Sequence, residues 1–185
     1  LYFPSAGINP EHPFWLPEFF GDVILVNGKP WPYLQVEPRR YRFRFLNGSN
    51  ARAYEMRLTD RALKTAGPAF WQIGSDGGLL DAPVKLNDPL VAKAPRLLMA
   101  SGERADVIID FSGYAGQSLT LVNSAKSPYP KGAAADPKTS GVVMQFRVGT
   151  AVTGGTDPSL DPAATASLRT APVERFPAPP VKRAL

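Results

Sequence analysis

Residues 23–54 read VILVNGKPWPYLQVEPRRYRFRFLNGSNARAY, and this stretch decides the fold class. Val23, Ile24, Leu25 and Val26 form a continuous apolar run of the buried-strand type. The run ends at Asn27-Gly28, a pair suited to the positive φ angles of a tight hairpin. Pro30 and Pro32 exclude a helix over the next residues. From Arg40 the pattern alternates strictly, with Tyr41, Phe43 and Phe45 on one face and Arg40, Arg42 and Arg44 on the other. That two-residue period belongs to a strand with one packed face and one charged face.

Outward from this stretch, strand candidates lie at 23–26, 40–47, 53–59, 70–74, 79–86, 96–100, 104–111, 118–123 and 142–148. They are short and separated by turn signals, as in an all-β sandwich or barrel. Residues 106–111 (DVIIDF) and 142–148 (VVMQFRV) have the composition of core strands. Residues 124–141 have no periodicity and much Ala, Pro and Lys, so they are expected to form a long surface loop. The lead-in, residues 1–20, is broken by Pro4, Pro10, Pro13 and Pro17, and residues 150–185 are rich in Ala, Pro and Thr. The division expected is a Pro-rich lead-in (1–20), one β-domain (21–149) and a linker (150–185), with both Pro-rich ends reading as cut connections.

Composition narrows the chemistry. The 185 residues include 20 prolines, 16 glycines, one histidine and no cysteine. No apolar run reaches the roughly 18 residues of a membrane-spanning helix, and the lack of cysteine excludes a disulfide, a thiolate nucleophile and a thiolate metal ligand. The net charge of +5 is concentrated between Arg39 and Lys64, where eight basic residues face only Glu55 and Asp60. An arginine-rich strand with interleaved aromatics suits a single-stranded nucleic acid only if both residue types share a face. Here the alternation separates them, so no nucleic-acid partner is expected.

None of the candidate motifs carries a reaction alone. His12 lies between Glu11 and Pro13 in the lead-in, and one imidazole makes neither a zinc or copper site nor a Ser-His-Asp arrangement. Gly74-Ser75-Asp76-Gly77-Gly78 lacks the Gly-Lys-Ser/Thr ending of a phosphate loop and reads as a turn in which Asp76 bonds its own backbone. Asp106 and Asp110 share a strand face while Glu103 points away, with Arg104 as the neighbouring countercharge, so a glycosidase-type acid pair is not expected. Asp76, Asp81 and Asp88 do not have calcium-loop spacing. Asn47-Gly48-Ser49 is formally a glycosylation acceptor, but Asn-Gly after a strand is first a turn.

Taken together, GDVILVNGKPWPYLQVEPRRYRFRFLNGSNARAY, FWQIGSDGGLL, GERADVIIDF and MQFRV resemble the middle domain of three-domain multicopper oxidases. The similarity is to the branch of bacterial spore-coat laccases, bilirubin oxidases and phenoxazinone synthase. It runs in order over residues 2–148, and the lead-in LYFPSAGINP agrees with it. The resemblance implies a cupredoxin-like Greek-key β-sandwich or barrel, flanked by two further cupredoxin domains. It also implies a parent oxidase in which a type 1 copper takes electrons from a small aromatic donor, and a trinuclear copper cluster reduces dioxygen to water. The family's His-x-His and His-Cys-His ligand motifs are absent from this chain, so the segment is expected to bind no copper and to act as the spacer. By the same resemblance, the loop after Asn123-Ser124-Ala125 lies on the type 1 copper side, which makes Asn123 and Ala125 substrate-vicinity candidates. Some relatives carry a cysteine where Ser127 stands here. The branch leaves the compartment open between secreted, periplasmic and spore-coat. The alternative is a stand-alone, copper-free interaction module that binds an acidic partner through the Arg40, Arg42 and Arg44 face.

Overall fold

The computed structural model describes residues 18–60, 62, 64–171, 174 and 177. His12 and nearly all of the lead-in lie outside them. The strands are β1 (Leu25–Val26), β2 (Lys29–Pro30), β3 (Tyr33–Val36), β4 (Arg40–Leu46), β5 (Tyr54–Asp60), β6 (Phe70–Ser75), β7 (Gly78–Leu86), β8 (Leu97–Met99), β9 (Arg104–Asp110), β10 (Ser118–Asn123) and β11 (Val142–Val148). They form a five-stranded sheet in the order β3-β11-β10-β5-β8, a four-stranded sheet in the order β4-β9-β6-β7, and the small β1-β2 hairpin. All pairings are antiparallel except β3 with β11. The all-β sandwich read from the sequence is the fold observed.

The core fills the space between the sheets. Phe70, Phe111, Phe146, Leu58, Ile109, Leu119, Leu121 and Val107 are essentially sealed from solvent. On β4, Tyr41, Phe43 and Phe45 pack against this cluster while Arg42 and Arg44 face outward, as the alternation requires. Phe43 meets Phe146 edge-on at 5.3 Å between centroids, and Phe111 lies 5.3 Å from the same ring. Phe43 is only half-buried, because β4 is an edge strand of its sheet.

Two expectations need correction. The run 23–26 is not buried throughout: Val23 and Leu25 are 54% and 60% exposed, while Ile24 is 3% exposed. A two-residue arm lying beside the sandwich has only one side to bury. The turn at its end is as expected, with φ of 50° at Asn27 and 78° at Gly28. Strand β3 was hidden by the neighbouring Pro30 and Pro32, which lie in β2 and just before β3 and so take no place in its ladder.

Residues 150–171 form no strand and are held against the sandwich by hydrogen bonds. Arg40 donates its amide to Asp157 (2.9 Å), its Nε to Ser159 Oγ (2.9 Å) and its Nη2 to the Ser159 carbonyl (3.1 Å). Leu168 donates its amide to the Asp81 carbonyl at 2.8 Å, and Arg169 Nη1 donates to the Leu79 carbonyl at 3.0 Å. The segment is thereby fastened to β4 at one edge of the four-stranded sheet and to β7 at the other.

Candidate functional site

The acidic residues on the outer face of the four-stranded sheet are consumed by ion pairs. β4 pairs with β9 so that Arg42 stands two positions from Asp106 and Arg40 faces Asp110. Arg42 Nε donates to Asp106 Oδ1 at 2.8 Å, and its Nη2 donates to Oδ2. Arg40 lies 3.9 Å from Asp110 and 3.7 Å from Asp157. The countercharges are therefore Arg42 and Arg40, not Arg104, which instead pairs with Asp76 at 3.0 Å. Asp76 accepts the Arg104 amide at 2.9 Å, so it ties the β6-β7 turn to β9 in place of bonding its own backbone. Each of these acids is held by a guanidinium.

Asn47 is equally committed. It is 4% exposed, its Nδ2 donates to the carbonyls of Arg52 (2.7 Å) and Met99 (3.1 Å), and its Oδ1 accepts the Ser49 amide (3.1 Å). The side-chain amide that glycosylation would need is the one closing the turn. Arg52, counted from sequence as part of a basic patch, is 6% exposed and donates to Ser127 Oγ (2.8 Å) and the Gly21 carbonyl (2.9 Å).

The end of β10 and the loop that follows it hold the two substrate-vicinity candidates. Asn123 is 4% exposed and Ala125 is 1% exposed. Asn123 Oδ1 accepts the amides of Glu55 and Ala125, both at 3.0 Å, and its Nδ2 donates to the Ser140 carbonyl at 3.1 Å. Its polar atoms are spent on joining β5, the start of the loop and the end of the loop. Within this chain both residues position the loop and present no side chain at the surface. The surface here belongs to Ser124, Lys126, Ser127 and Tyr129, with Tyr129 48% exposed.

Two open clefts flank this region. A cleft of about 180 Å³ is lined by Ala53, Leu98, Ala100, Glu103 and Tyr129, on the β8 edge. A second, of about 330 Å³, lies on the outer face of the five-stranded sheet among Trp31, Tyr33, Thr120, Val142, Met144, Gln145 and Arg147. The Arg147 guanidinium covers the Tyr33 ring there at 3.7 Å. Sequence reading missed a further cluster, Glu55, Arg57, Arg96 and Ser124, because its members meet only through the β5-β8 and β5-β10 registers. No sequence spacing signals it.

Metal-ligand chemistry does not fit these residues. A type 1 copper site takes two imidazoles and a thiolate, and the chain offers one histidine and no cysteine. Among the described residues no group of three or more His, Cys, Asp or Glu side chains converges.

Comparison with known proteins places this architecture. No family model matches the chain. The laccase of Bacillus subtilis (strain 168) is 47% identical over 152 residues, covering 80% of this chain and 26% of that protein. Multicopper oxidase LPR1 of Arabidopsis thaliana is 40% identical over 149 residues, covering 79% of this chain and 23% of its own length. Among solved structures, McoA multicopper oxidase from Aquifex aeolicus superposes with a TM-score of 0.63 at 32% identity, over 87% of this chain and 32% of that one. The chain thus spans about a quarter of the length of the curated relatives it matches. Its sequence and its cupredoxin-like fold are those of a segment of the multicopper oxidase family.

Proposed function

We propose that the chain is the copper-free middle domain of a laccase-like multicopper oxidase. The parent couples one-electron oxidation of phenols, aromatic amines or bilirubin-type compounds to the reduction of dioxygen to water. The reading is carried by one observation: 47% identity to a laccase runs through 80% of a chain that has one histidine and no cysteine. High similarity without a ligand set suits a segment that holds copper-bearing neighbours in place. All copper ligands would lie outside these residues, in cupredoxin domains on either side.

The described residues contribute shape and rigidity. The loop pinned by Asn123 offers a fixed wall rather than a reactive group, and Asn123 and Ala125 act on substrate approach through that geometry. The alternative, a free-standing module with a basic face, loses its main support. Arg40 and Arg42 are already paired with Asp110, Asp157 and Asp106, which leaves Arg44 alone of the three without an ion pair among the described residues.

Copper content tests the reading. The 185-residue chain, loaded with copper and dialysed, should hold no stoichiometric metal, show no intense thiolate-to-copper band and leave phenols unoxidised. The polypeptide encoded with the flanking sequence should instead hold copper, show the band and oxidise phenols, with two His-x-His motifs upstream and a His-Cys-His with another His-x-His downstream. Flanking sequence without these histidines would overturn the oxidase reading.

A further inference from the structure

Sheet register sets two arginines side by side on the outer face of the five-stranded sheet. β5 and β8 pair with Met56 opposite Leu97 and Glu55 opposite Leu98, and that register extended one position past the start of β8 sets Arg57 opposite Arg96, close enough for the Arg96 charge to act on Arg57. Like charges opposed on a sheet repel. Glu55 offsets part of this: its Oε2 lies 3.3 Å from Arg96 Nη1 and accepts the Ser124 hydroxyl at 2.6 Å. Ser124 Oγ in turn accepts from Arg96 Nη1 at 2.7 Å. Arg57 forms neither a hydrogen bond nor an ion pair with a described residue, and its Nε is enclosed without an acceptor. Burial first, then the charge of Arg96, push the Arg57 guanidinium down, while Glu55 opposes them.

A guanidinium is donor-only, and one that is partly desolvated beside a second guanidinium is unfavourable until an acceptor arrives. Two arginines against one glutamate leave a single positive charge, which one monoanion neutralises. We propose that Arg57 and Arg96 form a carboxylate-binding site, the two carboxylate oxygens bridging the two guanidinium groups. Ser124 and Glu55 hold Arg96 in place for this, through hydrogen bonds it already makes. The multiple charge-assisted hydrogen bonds such a bridge creates are the strong kind. The site is independent of the oxidase reading, because it uses only residues of this chain.

Acetate titrated into the 185-residue chain at constant ionic strength, with chloride as the balancing anion, tests the site through the arginine Nε–Hε NMR resonances. The Arg57 and Arg96 resonances should shift saturably, with a Kd of about 1 mM, the weak end of specific binding. Arg96→Gln should abolish saturation, and it remains informative if Arg57→Gln fails to fold. Glu55→Gln should tighten binding by about 3- to 10-fold, because it removes a competing carboxylate from Arg96, an effect a purely structural cluster would not produce. Arg44→Gln should change nothing. Absence of saturation, or unchanged affinity in Glu55→Gln, would overturn the proposal. Repeating the titration on the polypeptide extended by its flanking coding sequence separates two sources of carboxylate. Persisting saturation identifies a free small-molecule carboxylate. An Arg57 resonance already shifted and unresponsive to acetate identifies a carboxylate from elsewhere in the same polypeptide.

Discussion

Replacing Asn123 by alanine should be among the most damaging single changes in this chain, although the side chain is small and polar. Three partners lose their bond at once: the Glu55 amide, the Ala125 amide and the Ser140 carbonyl. The bonds to Ala125 and Ser140 are buried, whereas the bond to Glu55 is only partly so. An orphaned buried backbone group costs about 1–3 kcal/mol, and one that water reaches costs well under that. The sum comes to about 4 kcal/mol, a large share of the roughly 5–15 kcal/mol that holds an ordinary domain together.

Urea unfolding followed by far-ultraviolet circular dichroism measures this directly. With a slope of about 2 kcal/mol per molar, the midpoint should fall by about 2 M at unchanged slope. Asn123→Asp keeps both acceptor bonds but loses the donor to Ser140, setting a carboxylate against a carbonyl, so it should cost more than half as much. A midpoint for Asn123→Ala within about 0.3 M of the parent chain would refute the claim that this residue fixes the loop, since that corresponds to about 0.6 kcal/mol, less than one orphaned buried group costs.

Two other outcomes follow from the same structure. Ile109→Ala should cost about 2–5 kcal/mol by cavity formation, because Ile109 is 0% exposed, whereas Arg42→Ala should cost about 1 kcal/mol or less, as one partner of an exposed ion pair; equal losses by urea unfolding would show the β4-β9 register to be wrong. Hydrogen bonds from Ser159 and from the Arg40 amide hold Asp157 down to about 2, so its contribution is present above the ordinary carboxylate value near 4 and is lost as pH falls toward 2. Limited acid proteolysis should therefore open residues 150–171 as pH drops through that window before the sandwich unfolds. Asp157→Asn should open them at about pH 5 already, and equal protection of the two chains at that pH would contradict the anchor.

How much of this was legible in the sequence depended on the range of each interaction. The alternation over Arg40–Leu46 predicted the packed face of β4 because a strand's side-chain period is local and invariant. The Asn27-Gly28 turn was legible for the same reason, since positive φ is a property of two residues. Local rules failed where two elements at a distance decide the outcome. Arg104 lies two positions from Asp106 on the same strand and shares its face, yet Arg104 pairs with Asp76 and the β4-β9 pairing gives Asp106 to Arg42 from another strand. Strand β3 was concealed by two prolines just ahead of it, and its place is settled by its parallel pairing with β11, more than 100 residues away.

The same distinction governs the burial of Asn123 and Ala125. Asn123 is the last residue of an apolar strand, where a polar residue usually marks the surface. It is instead sealed, because a side chain with two acceptor lone pairs and two donor hydrogens can close a gap between a strand and both ends of a long loop. An alanine two positions on is buried with it, and the residues that reach solvent are the intervening Ser124 and the later Tyr129. Ser124 meets Arg96 and Glu55 there, in contacts spanning 28 and 69 positions of sequence. A pairing of that range leaves no trace in composition or periodicity, which is why the arginine pair it supports appears only once the registers are known.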